Sequence, residues 1–417
     1  MKKQILIIIA FAFGLLTSKA QTIKLETILN EIQQSNPTLK MYDADIRSSD
    51  EKAKGARNWE APVVGTGFWM VPYNTSLWKR QANGGTGMGQ YMINAEQMFP
   101  NKKRLDAEEE YMKSISSSDK ARKETSLNIL VAAAKKHYYE WMIIKKKISI
   151  LDQDEKLLDF MIQSAEIRYK NGLGKISAYY KAKAAIGKIQ NMRLMLVNEV
   201  KQRKIMLNTL MNRNKTEDFD IDTLYTIKNY TSSTFDSPTF INARSDIKVI
   251  EKDMQVNYLE QVAEKAKLKQ EFGIRYEHMF GFGGFPMQYT LMGMVKIPLA
   301  KWSSRASKAN VESLKWKVES LNQQKQIIVN ESTGMAYGMQ NDIELRKKQI
   351  KLFDENIIPA LRKNFQTMQL GYEQNTEELF TLFDAWETLN MTQLEYLQQL
   401  QDLLTMQVEL ERILEIK

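Results

Sequence analysis

The chain has 417 residues, a formal net charge of +9 at pH 7 and no cysteine. The absence of cysteine excludes a fold held by disulfide bonds and a zinc site built on thiolates. The positive excess is small for this length, and the basic residues are interspersed with acids, so nucleic-acid binding is not supported.

The first twenty residues have the pattern of a secretory signal peptide. A short basic start, residues 1–3, precedes an apolar run over residues 5–16, and Ser18-Lys19-Ala20 provides a small-x-small cleavage site. An apolar run of about a dozen residues is too short to span a bilayer as a helix. We therefore expect residues 1–20 to be removed on export, which leaves Gln21 as the first mature residue.

The next part of the chain predicts helices and then a β-hairpin. A short amphipathic segment covers residues 22–35, and Asn36-Pro37 supplies the cap and first-turn residues of a helix expected to run to about residue 59. Over about 63–99 the period changes to two, which predicts a hairpin. A second hairpin is predicted at about 271–298, and its polar face carries Arg275, Glu277 and Lys296.

Both hairpins have the dimensions of membrane strands. Each strand is about ten residues long, which is enough to cross a bilayer when the strand is tilted. A half-buried hairpin of a soluble protein shows the same alternation, so that alternative stays open on pattern alone. Four strands cannot close a barrel, and open sheet edges are not tolerated in lipid. Membrane strands would therefore require several chains to complete one barrel.

A helix of about seventy residues is predicted after each hairpin. The two long helices are expected over about 101–170 and 303–371, and Pro359 is expected to bend or interrupt the second one. Shorter helices return over about 176–212 and 377–414. A sharp helix reversal requires a residue that tolerates a left-handed conformation. Gly172 stands at this position between the first long helix and its returning helix, and Asn375 stands there in the second copy.

The order of helix, hairpin, long helix, turn and returning helix occurs twice. The first copy is predicted to span residues 21–212 and the second residues 244–417. Residues 213–243 lose the helical pattern between them and are interpreted as a small mixed insert in the equatorial region. Self-similarity on this scale indicates one structural unit used twice.

In this order and spacing the chain resembles the TolC family of outer membrane efflux proteins, the outer membrane factors of tripartite efflux and type I secretion systems. The residues that carry the resemblance are Asn36-Pro37-Thr38-Leu39, Arg244-Ser245-Asp246-Ile247, Phe99-Pro100, Ile297-Pro298 and the turn motifs that begin at Tyr169 and Tyr372.

The resemblance implies a mainly α fold with membrane β-strands. In a homotrimer, each chain would give four strands to a twelve-stranded outer membrane barrel, with the charged face of the second hairpin in the barrel lumen. The helices would form a long α-helical barrel in the periplasm. The family docks on a periplasmic adaptor (membrane fusion) protein and an inner membrane transporter, and it conducts substrate passively. It therefore implies no catalytic residues and no cofactor.

The resemblance also implies a gate. Family members line their periplasmic constriction with acidic residues after the second turn. Counted from Tyr372, the two family aspartates fall on Thr381 and Asp384 and the family arginine falls on Glu377, so only Asp384 is retained in kind. Glu377 and Glu378 are expected to supply part of the acidic field instead. A threefold ring of Asp384 would favour cations and make closure sensitive to pH and divalent ions. A solvated aspartate on a helix surface is the alternative.

In the family the two turns also meet the adaptor. The docking residues expected here are Tyr169, Gly172, Gly174, Ser177, Tyr372 and Asn375. A purely structural role for the turns is the competing interpretation.

Methionine is frequent, with 23 residues. Thioethers are soft ligands suited to Cu(I) or Ag(I), so heavy-metal efflux is one expectation for the cargo, and drug efflux is another. Flexible apolar filling of a narrow barrel is the structural interpretation. Eight methionines lie in or beside the predicted hairpins: Met70, Met88, Met92, Met98, Met279, Met287, Met292 and Met294.

The leading hypothesis is therefore the outer membrane exit channel of a tripartite efflux pump. The alternative is a periplasmic coiled-coil scaffold or adaptor protein whose hairpins do not enter a membrane. An enzyme is not supported, because no clustered acid–base pair, nucleophile or metal-ligand set occurs in the sequence. His137 and His278 are the only histidines, so a protein metal site of the zinc type is not predicted.

Overall fold

A computed structural model of the chain describes residues 22–172, 175–230, 235, 238–298 and 300–416. The predicted signal peptide, Gly174 of the expected docking turn and part of the predicted insert lie outside the described residues. Within the described ranges, no helix combines the length and the apolar character that crossing a membrane requires.

The described residues are mostly helical. The strands are β1 Thr22–Ile23, β2 Val63–Trp69, β3 Gln90–Phe99, β4 Asp220–Ile221, β5 Glu271–Gly281 and β6 Gln288–Lys296. The helices are α1 Leu25–Ser35, α2 Pro37–Lys54, α3 Lys102–Lys170, α4 Ile176–Leu210, α5 Pro238–Ala243, α6 Ser245–Ala266, α7 Lys301–Leu352, α8 Ile358–Glu373 and α9 Leu379–Leu414.

These elements form two compact units, and the chain passes between them several times. The sheet unit consists of residues 41–123 and 245–328. The helical unit is formed within residues 1–40, 124–244 and 329–417.

The sheet unit contains one antiparallel sheet in the order β2-β3-β5-β6, so both predicted hairpins join one sheet. Pairing puts Phe68, Tyr91 and Phe280 in one row across three strands. The face that carries these aromatics is open to solvent, with Tyr289 72% and Leu291 69% exposed. Among the residues that the structure describes, no strand pairs with the outer side of β2 or of β6, so these two are the edge strands of the sheet.

The opposite face of the sheet carries the charged residues. Arg275 Nε lies 2.7 Å from Glu277 Oε1. Lys296 Nζ lies 3.2 Å from Glu271 Oε2, which also pairs with Arg104. The three predicted lumen residues thus share one face, and each basic residue among them has a carboxylate beside it.

One helix end differs in detail from the sequence expectation. Helix α2 ends at Lys54, about five residues early, because Gly55 and Ala56 continue as a turn in which Gly55 N donates to Lys52 O at 3.1 Å. Glycine is a poor helix former, which explains the early stop.

The second long helix is interrupted as predicted: Phe353–Ile357 form a π-helix that ends two residues before Pro359. Proline cannot donate a backbone bond and crowds the preceding turn.

The core of the helical unit packs helices against the predicted insert. Strand β4 pairs in parallel with β1. The ring of Phe219 meets that of fully buried Trp141 edge-on at 5.1 Å. Tyr138 Oη donates to Asp222 O at 3.0 Å, and burial raises the pKa of Tyr138 to about 12. The insert is therefore an integral part of this core.

Candidate gate and docking turns

Two helix reversals form the expected docking region of the helical unit. Gly172 has φ +71° and Asn375 has φ +63°, so both occupy the left-handed conformation. At the second reversal Thr376 N donates to Gly371 O at 2.8 Å and Asn375 N donates to Tyr372 O at 3.2 Å. These bonds satisfy the last carbonyls of α8 in a Schellman motif.

Replacing Asn375 with alanine is expected to destabilise this turn by about 1 kcal/mol, because a Cβ-bearing residue without a short polar side chain is disfavoured at positive φ. Asn375→Gly is the matched control and should be neutral or slightly stabilising, because glycine adopts this conformation freely. Amide hydrogen exchange over residues 370–380 would measure both effects. Equal protection in the alanine variant and the unsubstituted protein would contradict the prediction.

The two aromatic turn residues have different environments. Tyr372 is 5% exposed, and the guanidinium carbon of Arg168 lies 4.4 Å from the centre of its ring. Its hydroxyl has no hydrogen-bond partner among the described residues. Tyr169 is instead 48% exposed. Tyr372 therefore contributes to packing, whereas Tyr169 presents its ring to solvent.

A groove of about 890 Å³ lies between the two turns. Lys175 and Phe380 contribute to its walls, and so do most of the residues that the sequence assigned to docking or gating. The assigned residues that line the groove are Gly172, Ser177, Tyr372, Asn375, Glu377, Glu378 and Thr381, whereas Tyr169 and Asp384 lie outside its lining.

The first turn of α9 and the residues before it are linked by Thr381. Its hydroxyl lies 2.7 Å from Glu378 O and 3.3 Å from Glu377 Oε2. Glu378 Oε2 lies 3.7 Å from Lys175 Nζ, and both of these side chains are well exposed. The two glutamates are thus held at the start of α9, where the N-terminal end of the helix dipole favours negative charge.

Asp384 has a cationic partner in the same chain. Lys181 Nζ donates to Asp384 Oδ1 at 2.6 Å. The same ammonium lies 3.8 Å from the ring centre of Phe380 and 4.3 Å from that of Phe383. The side chain of Lys181 is 29% exposed and that of Asp384 is 55% exposed. A lysine held over two aromatic rings and bound to a carboxylate has a well-defined position.

Sequence reasoning missed Lys181, although the internal repeat contains the signal for it. Lys181 and Asp384 are 203 residues apart. Gly172 and Asn375, the left-handed residues of the two turns, have the same separation, and so have Lys175 and Glu378. Aligning the two copies on their turns therefore pairs a lysine in the first copy with an acid in the second at both positions.

A buried acid on α3, Asp154, which is bound by residues further along α9, was also missed. Trp386 Nε1 donates to Asp154 Oδ1 at 2.8 Å, and the amide of Asn390 donates to the other carboxylate oxygen. Burial raises the pKa of Asp154, although both hydrogen bonds act in the opposite direction. These contacts fasten α9, the helix that carries Thr381 and Asp384, to α3.

Comparison with known proteins gives a family match and several structural relatives. Residues 28–213 match the family model described as outer membrane efflux protein. No curated protein sequence matches. The solved outer-membrane channel OprN is 15% identical, with a TM-score of 0.73 and with 94% of this chain and 89% of that chain covered.

Two further solved structures have the same fold. CusC is 12% identical, with a TM-score of 0.72 and with 96% of this chain and 95% of that chain covered. The outer membrane protein VceC of Vibrio cholerae is 13% identical, with a TM-score of 0.73 and with 94% and 95% covered. At sequence identities of 12–15%, the similarity to these three structures establishes the fold of the chain and nothing further.

Proposed function

We propose, from the confirmed resemblance to the outer membrane efflux proteins, that the chain is the outer membrane exit channel of a tripartite efflux pump. It conducts substrate passively from a periplasmic adaptor and an inner membrane transporter to the outside. The observation that carries the proposal is the four-stranded sheet, whose outer strands β2 and β6 have free edges and whose aromatic face is open.

A trimeric barrel satisfies both features of this sheet. Free backbone groups on an edge strand are costly in lipid unless another strand pairs with them. Joining β6 of one chain to β2 of the next in a closed ring of three sheets pairs every edge and gives twelve strands. The open aromatic face then meets the lipid of the outer membrane. Arg275, Glu277 and Lys296 then line the lumen.

The two turns are the proposed docking sites for the adaptor. Tyr169, Gly172, Gly174, Ser177, Tyr372 and Asn375 would contribute to them. Support comes from the groove between the turns and from the exposed ring of Tyr169. Asp384, Thr381, Glu377 and Glu378 are the proposed gate residues.

In this proposal the chain is exported with cleavage after residue 20, its barrel lies in the outer membrane and its helices extend in the periplasm. The proposed cargo is either a soft metal ion of the Cu(I) or Ag(I) type or an organic drug. CusC is described in connection with transmembrane channel formation, and OprN as an outer-membrane channel. Because a passive channel performs no chemistry, no catalytic residue and no cofactor are assigned.

The alternative is a periplasmic scaffold or adaptor whose sheet never meets lipid. The two functions differ in a single measurement. The mature protein is extracted from outer membranes in mild detergent, and its protein mass is determined by light scattering with correction for bound detergent. We expect a homotrimer. A monomer or dimer recovered without detergent from the soluble fraction would overturn the channel and support the scaffold.

A further inference from the structure

The methionines of the sheet are confined to one of its two faces. Strand pairing places Met92 opposite Met279, Met292 opposite Arg275, and Met294 and Met98 on either side of Gly273. All five lie on the face that carries Arg275 and Glu277. The aromatic face of β2, β3, β5 and β6 has none.

Apolar filling of a narrow barrel also places methionine on the inner face. On this face the thioethers lie among carboxylate, amide and guanidinium groups. What points to metal binding is therefore the position of particular methionine side chains relative to one another.

The side chains of Met98 and Met294 both reach the space above Gly273. The position that a Cβ at residue 273 would occupy is taken by Met98 Sδ, and Met294 Cε lies 3.2 Å from the same point. A Cβ at residue 273 would displace the Met98 sulfur and would require the Met294 methyl group to give way by a few tenths of an ångström. A third thioether, Met292, is two residues from Met294 on the same face of β6, because side chains in a strand alternate between faces.

The electrostatic surroundings tolerate a cation. Arg275 is paired with Glu277, and Lys296 shares Glu271 with Arg104, while Glu96 lies opposite Arg275 on the neighbouring strand, so each basic group on this face has a carboxylate nearby. Other soft donors do not compete, because the chain has no cysteine and His278 belongs to the aromatic face, opposite Ile93. Among the described residues no group of three or more His, Asp or Glu could hold a harder metal ion.

We propose that Met98 and Met294, assisted by Met292, form a binding site for a soft monovalent cation, Cu(I) or Ag(I), on the polar face of the sheet. Thioether sulfur selects such ions over Na⁺, Mg²⁺ and Zn²⁺. The role of the site as a transit point for exported metal rests on the proposed function, because it requires that this face line the barrel lumen.

Titration of the purified full-length protein in detergent with silver nitrate, in chloride-free buffer, tests the site. We expect one Ag⁺ bound per chain at this site. Met98→Leu combined with Met294→Leu removes both sulfurs at nearly unchanged volume and should weaken binding by about tenfold or more. Gly273→Ala keeps every sulfur but displaces Met98, and it should also weaken binding. The matched control, Met335→Leu with Met391→Leu, changes two exposed helical methionines and should bind as the unsubstituted protein does.

Unchanged silver affinity in the Met98→Leu, Met294→Leu protein overturns the site. Light scattering and single-channel conductance on the same samples separate this failure from failure of the proposed function. A conducting trimer without this silver site contradicts only the present inference. Silver binding by a protein that is neither trimeric nor conducting would keep the site but overturn its transit role and the channel together.

Discussion

Replacing Glu411 with alanine is expected to lower the free energy of unfolding by about 3–5 kcal/mol. Glu411 Oε2 lies 2.7 Å from Lys135 Nζ, and the two side chains are only 7% and 8% exposed. Tyr230 Oη donates to Glu411 Oε1 at 3.1 Å, and Lys228 pairs with the same oxygen. Alanine would leave the ammonium of Lys135 buried without a counter-charge, which costs far more than the loss of a surface ion pair.

The same cluster predicts a dependence on pH. Burial alone would raise the pKa of Glu411, but hydrogen bonds from Lys135 and Lys228 and their charges outweigh it, so the pKa lies below the ordinary 4.5. A carboxyl with a depressed pKa stabilises the fold fully above its unfolded pKa and loses that contribution as pH falls through its folded pKa. The stability difference between the unsubstituted protein and Glu411→Gln should therefore persist at neutral pH and shrink below about pH 4.5.

Chemical unfolding followed by far-ultraviolet circular dichroism, at fixed protein and detergent concentration, measures these differences. Glu409→Ala is the matched control, because Glu409 lies on the same helix but is 37% exposed and pairs with Arg412 near the surface. It should cost less than about 1 kcal/mol. Lys228→Ala should also cost less than Glu411→Ala, because Lys228 is half exposed. Equal losses for Glu411→Ala and Glu409→Ala would contradict the buried-cluster argument.

The long elements could be read from the sequence because their periodicity is local. A helix expected over about 101–170 is observed as Lys102–Lys170, and the interruption near Pro359 is observed as a π-helix. A helical hydrophobic period that repeats over about seventy residues is not compatible with strands or loops. The end of α2 was predicted less closely, because Gly55 terminates the helix before the expected end at about residue 59.

The ion pairs could not be read in the same way. Lys135 and Glu411 are 276 residues apart, and each looks like an ordinary charged residue of a helix surface. Their burial depends on the insert, since Lys228 and Tyr230 close over them. Lys181 is a different case, because the repeat itself pairs it with Asp384. The family pattern identifies Asp384 as an acidic gate residue. It specifies no residue type for the equivalent position in the first copy, which Lys181 occupies.

Lys181 changes what the proposed gate is expected to do. An unpaired ring of three Asp384 carboxylates would attract cations strongly and bind divalent ions. With Lys181 Nζ at 2.6 Å from each carboxylate, the charge at this level of the proposed pore is compensated. Removal of either partner should then expose the other, with opposite effects on ion selectivity.

Lys181→Gln is expected to raise the cation-to-anion permeability ratio several-fold and to strengthen block by divalent cations, because three carboxylates lose their counter-charges. Asp384→Asn should lower the same ratio, because three ammonium groups are then uncompensated. The double variant should return close to the unsubstituted protein. Lys183→Gln, which removes an exposed charge two residues along the same helix, is the matched control and should change little.

Reversal potentials and divalent block in planar bilayers are measured for the two single variants, the double variant and the control. The pairing predicts that the two single variants shift the permeability ratio in opposite directions and that these shifts cancel in the double variant, because each single substitution leaves the partner's charge uncompensated. An acidic ring acting alone predicts a large effect of Asp384→Asn and almost none of Lys181→Gln. If neither substitution changes selectivity or block, Asp384 is a solvated helix residue, and the constriction is controlled elsewhere along α4 and α9.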